Sequence, residues 1–160
     1  NIYIIQSYID LVKHIPQRVI HSDPKLSNFL FDKTNENVIS LIDIDTIMPG
    51  TILYDFGDMV RSFSNNLKED DSSSTVAFNQ EVYDALFNGY IKIAQEFITD
   101  QESKNLSLAA LCVALVQSIR FLTDYLNDDS YYQVSYENQN FDRASNQFSF
   151  FKEIKEYLSL

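Results

Sequence analysis

From Leu106 to Val116 the sequence is apolar on nearly every side, LSLAALCVALV, and Leu108, Leu111, Leu115, Ile119, Leu122 and Leu126 carry a helical stripe onward from it. A helix with no polar face has none to give to water, so this stretch predicts a central helix with other elements wrapped around it. The chain is long enough for one such domain: 160 residues, 45% hydrophobic and 14% aromatic. No stretch is expected to supply the roughly 18 apolar residues of a membrane span. No signal-peptide pattern opens the chain, and a cytoplasmic protein is the default expectation.

Other stripes flank that helix. Ile4, Ile5, Tyr8, Ile9 and Val12 make an opening helix; Phe78, Val82, Leu86, Ile93 and Phe97 make another; Phe141, Phe148, Phe151, Ile154 and Leu158 close the chain. Between them lies a short β-rich region. Arg18 to Ile20 is extended and leads into a polar loop, HSDPKLSN. Then FLF at 29–31 and VISLIDI at 38–44 face each other across the turn residues DKTNEN, which predicts a hairpin. Pro49 and Gly50 are expected to stop the second strand, ILYDFGDMVRSF to form a helix, and residues 64–75 to form an exposed acidic loop with Leu67 as its only core residue. The predicted fold is α+β and mostly helical.

Charge narrows the function. With 12 Lys and Arg against 23 Asp and Glu the net charge is -11, which argues against nucleic acid or an anionic membrane as a non-specific partner; it would suit a cationic substrate, but an acidic surface more often serves solubility alone. The single cysteine, Cys112, sits in the apolar run and predicts a small buried hydrophobe.

The chemistry concentrates in the polar loop and hairpin. Asp23 is on the loop, Asn28 follows five residues later as the chain enters a strand, and Asp43 ends the partner strand, so the hairpin returns it beside Asn28. An amide oxygen and a carboxylate from adjacent strand ends make the hard oxygen site that Mg²⁺ prefers. One acid to orient and deprotonate a hydroxyl, with metal ligands to hold phosphates in line with it, is what phosphoryl transfer requires. Lys25, two residues after Asp23, would place a positive charge on the transferring group.

HSDPKLSNFLFD followed by LIDID resembles the catalytic loop and metal strand of the aminoglycoside phosphotransferases, choline kinases and their relatives, with the pattern H-x-D-x-x-x-x-N, a hairpin, then I-D. More narrowly, IDIDTIMPGTILYDFGDMVR and the later DYLNDDSYYQV and NFDRASNQF resemble the N-acetylhexosamine 1-kinase branch, which phosphorylates an anomeric hydroxyl with ATP. The resemblance makes Asp23 the catalytic base, Asn28 and Asp43 the magnesium ligands, and His21 a structural support. It also bears on Asp55-Phe56-Gly57, the three letters that mark the magnesium aspartate of a protein kinase. In the resembled family that aspartate follows the hairpin, which is Asp43, and an acid at the position of Asp55 braces the catalytic loop. The DFG letters are then a coincidence.

Weaker candidates surround these. Asp45 is read as a second metal ligand, a substrate contact or a turn cap. Arg120 and Asp124, one helical turn apart, suit an ion pair as well as a substrate site, and the resemblance makes Arg120 a substrate contact. Tyr131, Tyr132 and Tyr136 are read as packing on their own domain or stacking on a sugar.

A kinase of this type also needs a smaller lobe with a nucleotide loop, and the only glycines are Gly50, Gly57 and Gly89. The expectation is a C-terminal lobe, residues 1–160, of a longer enzyme whose N-terminal lobe is its partner, inactive by itself. ATP is the expected co-substrate, Mg²⁺ the cofactor and a small molecule, by resemblance a sugar, the acceptor. Choline, aminoglycoside and homoserine kinases, a protein kinase and a catalytically dead scaffold remain alternatives.

Overall fold

The computed structural model describes residues 1–34, 37–73 and 77–160. Its order is α1 (Ile2–Val12), β1 (Arg18–Ile20), β2 (Phe29–Phe31), β3 (Val38–Leu41), β4 (Met48–Gly50), α2 (Ile52–Phe63), α3 (Gln80–Ala94), α4 (Asp100–Lys104), α5 (Leu106–Leu126) and α6 (Gln139–Tyr157), with 3-10 turns at Leu26–Asn28 and Ile44–Thr46. The chain is mostly helical, with two small two-stranded antiparallel sheets.

Helix α5 lies at the centre, packed chiefly on α6 and α2 and then on α1. Leu106, Ala109, Ala110, Leu111 and Ala114 are wholly buried, and so are their partners Leu53, Phe56 and Val60 on α2 and Phe150, Phe151 and Ile154 on α6. The closest approach is at Gly57, where an added Cβ would stand 2.6 Å from Val113 Cγ2 and 2.8 Å from the Ala109 carbonyl oxygen. Only a residue without a side chain lets α2 pass α5 at that distance. Cys112 is 2% exposed, and burial pushes its thiol up to about 11.

Several expectations need correction. Helix α5 is long and apolar enough, by length and composition, to cross a membrane. Its burial among α1, α2 and α6 is that of a core helix. Along its second half Ile119, Leu122 and Leu126 are exposed, while Ser118, Phe121 and Asp124 face inward. A helix apolar all round offers periodicity no contrast, so its neighbours decide which side turns in. On α3, Ile93 is exposed, as is Phe97 beyond the helix end, while Tyr83 is buried with Leu86, Phe87 and Tyr90 against the core. On α6, Phe141 and Phe148 are exposed. Helix α4, unforeseen, starts with a capping box: Glu102 N donates to Thr99 Oγ1 and Thr99 N to Glu102 Oε2.

The second predicted strand ends at Leu41 rather than Ile44, because Asp43 takes a left-handed conformation, φ 64°, and starts the 3-10 turn. Pro49 and Gly50 do not stop the chain's extended course. Met48–Gly50 forms a strand whose partner is β1, with Val19 opposite Pro49 and Ile20 opposite Met48. Proline is tolerated there because a two-stranded sheet consists only of edges. The β2–β3 hairpin pairs Phe29 with Leu41 and Leu30 with Ser40, and Phe29 meets Phe63 of α2 edge-on at 5.2 Å. Positions 35 and 36 of its turn lie outside the described residues; Asp32 N donates to Asn37 O at 3.0 Å across it.

The acidic loop is held rather than merely exposed. Asn146 Nδ2 donates to the Lys68 and Asp71 carbonyls, Gln139 Nε2 donates to Asp70 Oδ2, and Ser64 is fully buried. Positions 74 and 75 of that expected loop lie outside the described residues.

Candidate functional site

Strand β1 delivers the chain to His21, and the loop that follows is pinned from both sides. From α2, Asp55 accepts two backbone bonds, from His21 N at 2.8 Å and Ser22 N at 2.9 Å. From the turn before β4, Thr46 Oγ1 donates to His21 O at 2.7 Å. These bonds hold Ser22 at φ 71°, a left-handed conformation that costs a non-glycine residue roughly 1–2 kcal/mol. Burial pushes the Asp55 carboxyl above its ordinary value, against the pull of its two N–H donors. The three letters of Asp55-Phe56-Gly57 thus have separate tasks: one holds the loop, one is core and one is the helix crossing.

His21, 7% exposed, ties the loop to the hairpin. Its Nε2 lies 3.0 Å from Ile42 O, and its Nδ1 accepts from Asp23 N at 3.4 Å, which assigns the ring proton to Nε2. Ile42 N in turn donates to Asn28 O at 2.9 Å. Asp43 is therefore next in the chain to a residue bonded to both His21 and Asn28.

Asp23 carries its contacts on one oxygen. Lys25 Nζ donates to Oδ2 at 2.6 Å, and Asn28 Nδ2 donates to the same Oδ2 at 3.2 Å and to Asp23 O at 2.8 Å. Oδ1 takes part in neither. The bond to Asp23 holds the Lys25 ammonium above its ordinary pKa, with a smaller contribution from Asp43.

With both amide hydrogens turned toward Asp23, Asn28 keeps its Oδ1 for another partner. That oxygen and the exposed Asp43 carboxylate are hard donors of the type a magnesium ion accepts, so the residues fit such an ion in donor chemistry. Among the described residues no cluster of three or more His, Cys, Asp or Glu forms a metal cage by itself. Asp45 is exposed in the 3-10 turn.

A cleft of about 1020 Å³ opens beside Asp23 and Lys25, walled by α2, the acidic loop, α5 and α6. Arg120 lines it, whereas Asn28, Asp43 and Asp45 do not. The charge of this cleft opposes that of the chain. Five cations, Lys25, Arg61, Lys68, Arg120 and Arg143, face three carboxylates, Asp23, Asp58 and Glu69. A cationic acceptor, which the bulk charge would suit, does not suit this wall.

Arg120 and Asp124 do not pair. Arg120 donates to Gln117 Oε1 at 3.2 Å and lies over the Tyr132 ring at 5.6 Å. Asp124, 5% exposed, accepts from Tyr131 N, Tyr132 N and Asn140 Nδ2, which folds the tyrosine loop against the domain. Tyr132 packs on Phe121 at 4.7 Å, and the 74%-exposed Tyr131 meets Tyr132 edge-on. Both tyrosines line the cleft; Tyr136 instead donates its hydroxyl to Asp142.

The sequence reading missed Asp58, Arg61, Glu69, Arg143 and Gln147. Arg61, 9% exposed, binds Asp58 Oδ1 at 2.7 Å and Glu69 Oε1 at 3.2 Å. The i, i+3 spacing of Asp58 and Arg61 was a usable signal; nothing local pointed to Arg143 or Gln147. Residues 5–95, from α1 through the end of α3 and including the loop from His21 to Asn28 and the hairpin, match the model of a phosphotransferase enzyme family, APH, and the chain belongs to that family.

Proposed function

We propose that this chain is the C-terminal lobe of a small-molecule kinase that transfers the γ-phosphoryl group of ATP to a hydroxyl, specifically the anomeric hydroxyl of an N-acetylhexosamine. Family membership supports phosphoryl transfer to a small molecule. The observation that carries the residue assignment is the Asp23 carboxylate, held through Oδ2 by Lys25 and Asn28 at the edge of the cleft, with Oδ1 left for a substrate proton.

In this reading Asp23 Oδ1 takes the hydroxyl proton as the acceptor oxygen bonds to the γ-phosphorus, and the bond to the bridging oxygen breaks with its electron pair leaving on ADP. Lys25 offsets charge on the transferring group. Asn28 and Asp43 would hold Mg²⁺, which when bound neutralises charge on the nucleotide phosphates. His21 and Asp55 keep the loop in place, Arg120 contacts the acceptor and Asp45 a hydroxyl. The exposed apolar side of the hairpin region, with Ile39, Leu41, Ile42, Ile44, Ile47 and Met48, is the surface an N-terminal lobe would cover.

The test is ATP consumption by the full-length protein with Mg²⁺ and a panel of N-acetylglucosamine, N-acetylgalactosamine, plain hexoses, choline, homoserine and an aminoglycoside. Turnover on an N-acetylhexosamine, reduced at least about 10³-fold by Asp23→Asn, is expected. Turnover on choline or an aminoglycoside alone would discard the sugar assignment and keep the kinase. Silence across the panel would favour a binding scaffold.

A further inference from the structure

From Asn37 to Pro49 every residue is exposed except Thr46. This arm carries Asp43, and little within it fixes that residue. The β2–β3 ladder ends at Leu41 and the β1–β4 ladder begins at Met48, so residues 42–47 lie between the two. Asp43 starts the Ile44–Thr46 turn without a side-chain cap bond, and the turn's closing backbone bond, Ile47 N to Ile44 O, is 3.3 Å long. A fixed position for Asp43 must therefore come from contacts outside the turn. His21 supplies them on both sides of it. Its ring Nε2 bonds Ile42 O at 3.0 Å, one residue before Asp43, and its carbonyl oxygen accepts from Thr46 Oγ1 at 2.7 Å, three residues after. His21 is itself buried, with its backbone N–H bonded to Asp55. The turn is clamped on one residue of the loop that carries Asp23.

We propose that Thr46 is a positioning residue: its hydroxyl, bonded to His21, holds the Asp43 carboxylate where it can take a divalent cation together with Asn28 Oδ1. This rests on the kinase reading above and extends it to a residue outside the ligand pair. The side-chain chemistry suits the task. A hydroxyl has one proton to donate, and Thr46 gives it to His21 O. A β-branched side chain is stiff at χ1, so the bond restrains the backbone of the turn and not only the hydroxyl. Two protein oxygens leave the rest of the cation's shell to phosphates and water. Among the described residues no cluster of three or more His, Cys, Asp or Glu stands ready to make up for a displaced Asp43. Groups that orient a metal ligand without touching the metal are then expected to weigh heavily on its affinity. Thr46 also lines the cleft, but with its proton committed to His21 it is not offered as a donor to the acceptor.

The experiment uses the full-length protein with ADP and follows the binding of Mn²⁺ by electron paramagnetic resonance, Mn²⁺ being a cation that oxygen ligands accept as they accept Mg²⁺. Thr46→Val keeps the shape of the side chain and removes the proton; Thr46→Ser keeps the proton. The Mn²⁺ dissociation constant is expected to rise about 10-fold in Thr46→Val and to return to within about twofold of the wild type in Thr46→Ser. In turnover assays the Mg²⁺ concentration for half-maximal rate is expected to rise alongside, while the acceptor KM moves less than about twofold. Should Thr46→Val not fold, Thr46→Ala lacks the same proton and carries the comparison. A Mn²⁺ constant unchanged in Thr46→Val but weakened in Asp43→Asn overturns the proposal and leaves the kinase reading standing. A serine variant as weak as the valine one also overturns it, by assigning Thr46 to packing, and so does an acceptor KM that moves as far as the metal constant. If the wild type binds no Mn²⁺, or Asp43→Asn binds it equally well, the proposal falls together with the metal assignment of the kinase reading.

Discussion

The two sides of the cleft differ in how their polar groups are satisfied. On the side of the loop from His21 to Asn28 most polar groups are paired, with Asp23 Oδ1 and Asn28 Oδ1 the exceptions noted above. Asp55 takes two backbone N–H groups, His21 uses both ring nitrogens, and Asp23 Oδ2 carries Lys25 and Asn28. On the α2–α6 side Asp58, Arg143 and Gln147 each keep an unpaired atom. The first side is held still by these bonds, the rigidity that the proposed base would need to stay within hydrogen-bond reach of its proton. The second leaves buried polar atoms unpaired, which costs stability. One molecule shows both policies a few side chains apart.

Breaking the satisfied side should give the largest effect. Asp55→Asn deprives one of two backbone N–H groups of its acceptor and releases Ser22 from its left-handed conformation. The expected outcome is a loss of about 2–4 kcal/mol in urea unfolding together with a drop in kcat of about 100-fold in the full-length protein. A variant with normal kcat would show that the loop does not depend on this brace. The pH dependence has a sign. Burial raises the Asp55 carboxyl above its ordinary 3.8, so the folded state holds this proton more tightly than the unfolded chain does. Its contribution is full below about 3.8 and is lost as pH rises through the folded value, so the wild type should lose stability relative to Asp55→Asn across that window.

Glu102 is the opposite case and sharpens the comparison. It is wholly buried, and its bonds with Arg18 at 2.7 and 2.8 Å, more than those from Thr99, hold it below its ordinary value. It stabilises the fold above the unfolded value of about 4.5 and ceases to do so as pH falls through the folded one. Glu102→Gln should cost about 1.5–3 kcal/mol near neutral pH and flatten the acid limb of the stability profile, measured by denaturant titration. Since Arg18 begins β1, a kcat loss larger than the stability loss explains would place this ion pair in the loop's positioning.

Gly57→Ala tests packing with no polar group involved. Its methyl would press on Val113 and the Ala109 carbonyl, and a loss of about 1–3 kcal/mol is expected with the acceptor KM unchanged. Lys25→Met should give the smallest change in stability, under about 1 kcal/mol, because the Lys25 side chain is 40% exposed. Its expected signature is a lower kcat with little change in Tm; an unaltered kcat would remove Lys25 from the chemistry.

Much of the site was legible because its residues are close in sequence. His21, Asp23, Lys25 and Asn28 lie on one loop, and a hairpin brings Asp43 back by local turn chemistry alone. The position of Asp55 was legible by resemblance, and its two backbone bonds became visible only with the fold. The central helix was legible from its apolar run, but its orientation was not, since Ile119, Leu122 and Leu126 fit the stripe as well as the residues that turned inward. The pairing of β1 with β4 was invisible because strands of three residues carry no periodicity and their partner lies beyond two turns.

By itself the sequence determined a mostly helical α+β domain around residues 106–126, a loop with a base candidate and an oxygen-ligand pair, and a chain of net charge -11. Tertiary structure decided the charge of the cleft, which runs against that total, and the identity of the wall facing Asp23. Composition sums charge over the whole surface, whereas a cleft samples only the few side chains that packing turns toward it. Whether a buried polar atom is paired is likewise not a property of its residue: Gln147 donates through Nε2 to Asn146 Oδ1 while its Oε1 has no partner.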